Sequence, residues 1–493
     1  MTRPIMIQGT MSNAGKSIIT AGLCRVFSQD GYRVAPFKSQ NMALNSYITA
    51  DGGEMGRAQV VQAEACGLEP TVDMNPILLK PVTDMGSQVI VNGQARGVMT
   101  ASQYFHSRRA LIPDIRAAYD RLAATSDIIV IEGAGSPAEI NLKADDIVNM
   151  GLAKLIDSPV LLVGDIDRGG VFAQLYGTCA LLPPEERARI HGFIINKFRG
   201  DVTLLADGLR ELEELSGVPT LGVVPYLDVD IDDEDSLSSR LHSTASTSPD
   251  QPDIAIIRLP KLSNFTDFTA LSASGLVSVR YVDRLTRLGD PDLIIVPGTR
   301  NTIADLAWLR RTGLADAIIT HARRGQLLIG VCGGYQMLGR AIADPEGVEG
   351  GGTVAGLDLL PITTVFQPSK HQTRVAGRIL PLAGPLAALG EAQVEGYEIH
   401  MGTSTYLDDA RPLIRLTDGT MDGCWRDNVA GSYLHGLLDS ISARQAVLNM
   451  LGADPTTPLG DYTEYRQEQY DRLADALRAN LDMKQIYHIM GVR

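Results

Sequence analysis

Short apolar runs that end in glycine or a polar turn recur along this chain, with helical patterns between them. PIMIQGT (4–10), RVAPFKS (33–39), DIIVIEG (127–133), PVLLVGD (159–165) and HGFIINK (191–197) show little polar alternation. Such strands are buried on both faces, and with helices between them they build a mostly parallel, doubly wound sheet. The series fades near 218–227. Residues 228–253, DVDIDDEDSLSSRLHSTASTSPDQPD, are acidic and then rich in Ser, Thr and Pro, which suits a linker or surface excursion. The alternation restarts with IAIIRL (254–259), VSVRYV (277–282), DLIIVPG (292–298) and QLLIGVC (326–332). At 493 residues the chain is longer than the ~250–300 over which one core grows. The expected fold is α/β: two doubly wound, mostly parallel sheet domains over 1–227 and 254–445, joined by the 228–253 linker. Helical patterns over 446–493 are expected to pack as terminal helices.

Composition narrows the function. Lys+Arg number 44 against 58 Asp+Glu, a net charge of −14, which argues against general nucleic-acid binding. No run of ~18 apolar residues exists, so no membrane span is expected, and the first residues lack signal-peptide form. Five scattered cysteines without a CxxC pair argue against a disulfide framework and a clustered zinc site. A reduced, cytoplasmic enzyme is the expectation.

The first apolar run enters Gly9-Thr10-Met11-Ser12-Asn13-Ala14-Gly15-Lys16-Ser17 and then an apolar helical pattern. Strand, glycine loop, Lys-Ser and helix is the context of a P-loop. Backbone N–H groups from Thr10, Ser12, Asn13, Ala14 and Gly15 would hold the phosphates of ATP. Lys16 would place a charge on them, and Ser17 would ligate Mg²⁺. The spacing departs from the usual motif, since Thr10 stands where the first glycine belongs. Glu132, ending the run DIIVIEG, meets the requirement for a carboxylate at a strand's carboxyl end, where a nucleotide's magnesium is met. Asp51 is the second metal candidate, with Glu54, Asp165 and Asp167 as other carboxylates. Asn196, closing GFIIN, could read a purine edge.

In the second half, Gly330-Val331-Cys332-Gly333-Gly334 fits G-x-C-x-G, the thiol form of a nucleophile elbow. The Gly333 N–H is placed to hold an oxyanion, and the PGTRNT turn at Gly298 to complete that hole. His435, at the end of VAGSYLH, is the expected base. His400 in GYEIHMG is the rival, read as structural or substrate-adjacent. His371 and His321 lie in charged segments and read as solvated. Asp358 and Glu398 are the acids that could orient a histidine.

With these residues in view a resemblance is plain. GVCGGYQMLG with SYLHG downstream and PGTRNT before it resembles the triad-type (class I) glutamine amidotransferases, and GYEIHMG is similar to their cobyrinic/cobyric acid branch. QGTMSNAGKS, FKSQNMALNS and IEGAGSPAEINL resemble the dethiobiotin-synthetase-like P-loop group. In this order, over nearly the whole chain, they resemble the cobyric acid synthases. The resemblance implies that Cys332 takes ammonia from glutamine near Gln336 and Tyr335. It further implies that ATP–Mg²⁺ activates carboxylates of adenosylcobyrinic acid a,c-diamide at the b, d, e and g side chains. Ser39, Gln40, Asn41 and Asn45 are candidates to contact this corrinoid acceptor. One departure is that His435-Gly436-Leu437 lacks the acid of the usual H-x-E, which leaves the third member of the site unassigned. The partners expected are small molecules (glutamine, ATP, a corrinoid carboxylic acid), with a homo-oligomer left open. A diamide synthase, a cell-wall amide ligase, a partition-type ATPase and a glutamine sensor are the alternatives.

Overall fold

The computed structural model describes residues 2–82, 86–232, 251–407, 409–453 and 459–492. The chain divides into two units, neither contiguous in sequence: Met1–Ala43, Gly53–Asp232 and Tyr465–Arg493 form one, and Leu44–Gly52 with Asp233–Glu464 the other.

In the first unit, six parallel strands run across the sheet in the order Val34–Phe37, Ile128–Glu132, Arg3–Gly9, Val160–Asp165, Ile190–Phe198, Thr220–Pro225. The five apolar runs are all strands. The fading stretch 218–227 supplies a sixth at the edge, where one less buried face weakens the apolar signal. The order reverses beside the first strand, so the loop after Gly9 opens at a topological switch point, where sheets of this kind take ligands. Helix Lys16–Gln29 packs its Ile19, Leu23 and Phe27 in a core with Ile5, Ile7, Val130 and Val163. The chain's last helices, Tyr462–Asn480 and Met483–Ile489, bring Leu473, Leu477 and Ile486 into that same core. Gly22 is where they come close: a Cβ there would lie 2.4 Å from Leu477 Cδ1. A small second sheet, Gln40–Met42, Ile77–Pro81, Gly86–Val91 and Gln94–Thr100, was not visible in the sequence pattern.

The second unit starts as expected, with Ser278–Val282, Asp253–Ile257, Leu293–Val296, Leu327–Val331 and Val429–Ser432 all parallel. From Val429–Ser432 onward the sheet continues through Met421–Arg426, Arg411–Leu416 and the long strand Ile362–Ile379, each antiparallel to its neighbour. Gln393–Tyr406 pairs antiparallel with Ile362–Ile379. This antiparallel extension is a finding of the structure; its strands have a solvated face and lack the continuous apolar runs that mark the parallel half. Of the linker 228–253, residues 233–250 lie outside the described residues.

Among the described residues no helix is long and apolar enough to cross a membrane.

Candidate active site

The loop after the first strand is built to present backbone. Gly15 has φ +101°, and a Cβ there would fall 1.9 Å from Asn196 Nδ2, so this position accepts only glycine. Asn196 donates its amide to Ala14 O at 3.0 Å, and Lys197 donates to Asn13 O and, at 2.8 Å, to Asp165. Two residues near the end of the strand two places away in the sheet thus brace the loop, and the amide expected to read a base is engaged in holding it. Lys16 Nζ donates to Met11 O (3.0 Å) and Gly135 O (3.1 Å), which keeps the ammonium within the loop. Thr10 Oγ1 donates to Gln174 Oε1, while Ser12 and Asn13 are exposed.

Glu132 is buried at the end of its strand and accepts from three donors: Ser17 Oγ at 2.8 Å, Lys38 Nζ at 3.0 Å and Gln62 Nε2 at 2.5 Å. Ser17 and Glu132, paired in the sequence reading, meet in space. Asp51 belongs to Leu44–Gly52 of the second unit, is exposed, and accepts from Thr49. Glu54 is paired with Lys80 and Asp167 with Arg199.

The acceptor candidates are mostly engaged within the protein. Ser39 Oγ donates to Ile147 O (2.7 Å), Asn41 Nδ2 to Gln59 Oε1 (3.0 Å), and Gln40 Oε1 accepts from Tyr104. Asn45 differs, being buried with neither side-chain polar atom bonded. It lies in the second unit's segment, as does Ser46, whose N–H donates to Asn264.

In the second unit, Cys332 follows its strand with φ +51° and ψ −110°, then caps the short helix Gly333–Leu338. A non-glycine residue at positive φ is strained, and the turn it makes is that of an elbow. A Cβ on Gly334 would sit 1.9 Å from Val296 O, and one on Gly333 would sit 2.8 Å from Thr299 Cγ2. Both glycines therefore let the Pro297–Thr299 turn lie directly against the elbow. Gly298 faces the base: a Cβ there would be 3.0 Å from His435 Cε1.

His435 is buried, lies within electrostatic reach of Cys332 and donates Nδ1–H to Asp267 Oδ2 at 2.7 Å. The other oxygen of Asp267 accepts the Gly436 N–H at 3.2 Å, so the carboxylate grips the histidine and its neighbour together. Burial opposes a charge on this imidazole, but the Asp267 carboxylate and Cys332 outweigh it and push His435 up to about 10. The ring stacks on Tyr397 at 5.4 Å, and the two backbones exchange hydrogen bonds.

Asp267 is the acid that the sequence left unassigned. It stands 168 residues before His435, on the one-turn helix Phe265–Phe268 that follows strand Asp253–Ile257. The only signal was a buried acid in the turn SNFTDF, with nothing to connect it to His435. The two acids considered lie elsewhere: Asp358 pairs with Arg340 at the surface, and Glu398 contacts His371 at 2.9 Å. His321 differs from the expectation that both it and His371 are solvated. His321 is buried and bonds Leu327 O, while His371 is half-exposed against Glu398.

Gln336 and Tyr335 are buried behind the elbow. Gln336 accepts from Thr302 and donates to Met401 O and Tyr433, and Tyr335 meets Tyr433 edge-on. Cys332 Sγ donates to Ile399 O at 3.6 Å. The strand carrying GYEIHMG thus touches both Cys332 and Gln336, and His400 stacks on Tyr433 at 3.7 Å. Burial pushes His400 down to about 3, which fits a neutral packing partner better than a base.

Residues 5–237 match the CobQ/CobB/MinD/ParA nucleotide binding domain family, and residues 253–443 the CobB/CobQ-like glutamine amidotransferase domain family. The cobyric acid synthase of Lachnoclostridium phytofermentans is 54% identical over 99% of this chain and 99% of its own. That of Ruminiclostridium cellulolyticum is 53% identical over 99% and 97%, and that of Photorhabdus laumondii 51% over 99% and 98%. Identity of this degree, end to end and across both units, shows that the chain belongs to the cobyric acid synthase family.

Proposed function

We propose that this chain makes ammonia from glutamine at Cys332 and uses it, with ATP bound at the Gly9–Ser17 loop, to amidate a corrinoid. The acceptor is adenosylcobyrinic acid a,c-diamide, and the carboxylates amidated are those of its b, d, e and g side chains. The observation that carries this reading is the Cys332–His435–Asp267 constellation in a chain that also holds a phosphate loop.

In the second unit, the Cys332 sulfur attacks the side-chain amide carbon of glutamine. Its proton passes to His435 Nε2, and the oxyanion is met by N–H groups of Gly333 and of the turn at Gly298. His435 returns the proton to the leaving nitrogen, ammonia departs, and a glutamyl thioester remains. Water, deprotonated by the same imidazole, releases glutamate and the thiol. Asp267 holds the Nδ1 proton throughout, so that Nε2 is the nitrogen that works.

In the first unit, ATP gives its γ-phosphoryl group to one acceptor carboxylate, forming an acyl phosphate and ADP. Ammonia displaces phosphate and leaves the amide. Lys16 supplies charge to the phosphates. Magnesium fits the hard oxygen donors at the strand end: Ser17 Oγ and Glu132 would hold it, and it supplies charge neutralisation for the phosphates. Ser39, Gln40, Asn41 and Asn45 remain the residues we assign to the acceptor. Asn45 is the best supported, because its buried amide has no partner within the protein.

The test is direct. The a,c-diamide, glutamine and ATP are mixed with the enzyme, and amides are counted by mass spectrometry. Four added amides are expected. Amidation of cobyrinic acid at a and c instead would assign the chain to diamide synthesis, and ATP turnover without any acceptor would favour the partition-type ATPase.

A further inference from the structure

The antiparallel pair Ile362–Ile379 and Gln393–Tyr406 places three ligand-type side chains together in the second unit. His371 lies directly opposite His400 in the ladder, and Glu398 lies two residues from His400, hence on the same face. His371 Nε2 is 2.9 Å from Glu398 Oε2 and His400 Nε2 is 4.0 Å from it. All three ligand atoms lie within 4.8 Å of one another, the one such group of three found among the described residues. We propose that His371, Glu398 and His400 form a binding site for a divalent transition cation of the zinc class. This goes beyond the amidation chemistry and does not depend on it.

Three features favour a cation over a plain ion pair. First, His400 is already oriented as a ligand. Its Nδ1–H donates to Gly402 O at 2.9 Å, which leaves the Nε2 lone pair turned toward Glu398, and its ring is fixed by the stack on Tyr433. A carbonyl on the far nitrogen is the usual outer-shell support of a ligating histidine. Second, the spacing suits the ion. Donors about 2.0–2.1 Å from a tetrahedral zinc lie roughly 3.3 Å apart, and the observed 2.9 and 4.0 Å bracket that value. Third, the site has room for a fourth ligand. It opens on a cavity of about 540 Å³ lined also by Gln367, Ser369, Ser404 and Tyr406. Two imidazoles and one carboxylate select zinc or cobalt(II) over magnesium or calcium.

The position has a consequence for the nucleophile. Ile399, between two of the ligands, presents the carbonyl bonded to Cys332, and Met401 presents the one bonded to Gln336. A cation clamped on Glu398 and His400 fixes this strand from its other face.

Cys332 and His435 could themselves take up zinc, so the test uses untagged, full-length Cys332→Ser protein. Zinc is titrated by calorimetry, and cobalt(II) is followed by its visible d–d absorption. One ion per chain with a tetrahedral cobalt spectrum is expected. His371→Ala and Glu398→Gln should each weaken binding at least as much as the roughly 10–100-fold that loss of an outer-shell partner costs. His371 is half-exposed, so its replacement spares the fold, and circular dichroism verifies this; His371→Gln is the second variant. Absence of one-to-one binding in the Cys332→Ser protein, or binding unchanged by these substitutions, overturns the proposal.

Discussion

A histidine buried without charged neighbours titrates below its usual range, and His435 does the opposite because Asp267 and Cys332 both favour its charged form. The sign follows for stability. The folded value, about 10, lies above the unfolded value of about 6.5, so the stabilisation is complete below about 6.5 and is lost as pH rises through about 10. The thermal midpoint of the wild type should therefore fall toward that of Asp267→Asn between pH 7 and pH 10; midpoints a constant distance apart would contradict the pairing. In catalysis, Asp267→Asn frees the imidazole to take the wrong tautomer, and glutaminase kcat should drop by about 10²–10⁴-fold. His435→Asn should do at least as much, and His400→Asn less, as measured by glutamate release. Cys332 and His435 stand out in the sequence because each sits in a short glycine-flanked motif. Asp267 was not legible, because its role arises from a fold that brings residues 267 and 435 together, and one acid in a turn carries no mark of that.

At the scale of elements, both strand-to-helix turns work through close backbone approach, and both fail to a methyl group. Gly334→Ala would press on Val296 O and should abolish glutamine hydrolysis while ammonia-dependent amidation persists. Lys16→Ala should do the reverse: basal glutamine hydrolysis is kept, and amidation is lost with glutamine or ammonium as nitrogen source. Unchanged ATP turnover in Lys16→Ala would remove the Gly9–Ser17 loop from its role. Most strand runs buried on both faces were readable in both units because apolar residues dominate them, as in Ile128–Glu132 and Leu293–Val296. In the antiparallel extension, strand Ile362–Ile379 carries a mostly polar stretch over 367–374 and its middle is largely exposed, a pattern that resembles surface loops. The motif FKSQNMALNS read as one polar segment, yet it spans two units, the division falling after Ala43.

At the scale of the molecule, the two chemistries should separate by nitrogen donor: Cys332→Ala is expected to lose synthesis from glutamine and to retain it from ammonium salts. Equal loss with both donors would mean that the thiol does more than make ammonia. The feature with the widest reach is that neither unit is a single stretch of chain. The core under the phosphate loop takes Leu473, Leu477 and Ile486 from the last thirty-odd residues of the sequence. During synthesis, then, most of the nucleotide-binding unit is translated before residues 233–464 and its Tyr465–Arg493 stretch after them. Its apolar seat beside Gly22 and Ile5 waits, open, until translation has passed the whole amidotransferase unit. Ribosome-bound chains halted before residue 465 should carry a nucleotide site that is exposed to proteases and dependent on chaperones. On that order, a chain that still lacks the second unit would also lack the helices that complete the core beneath the Gly9–Ser17 loop.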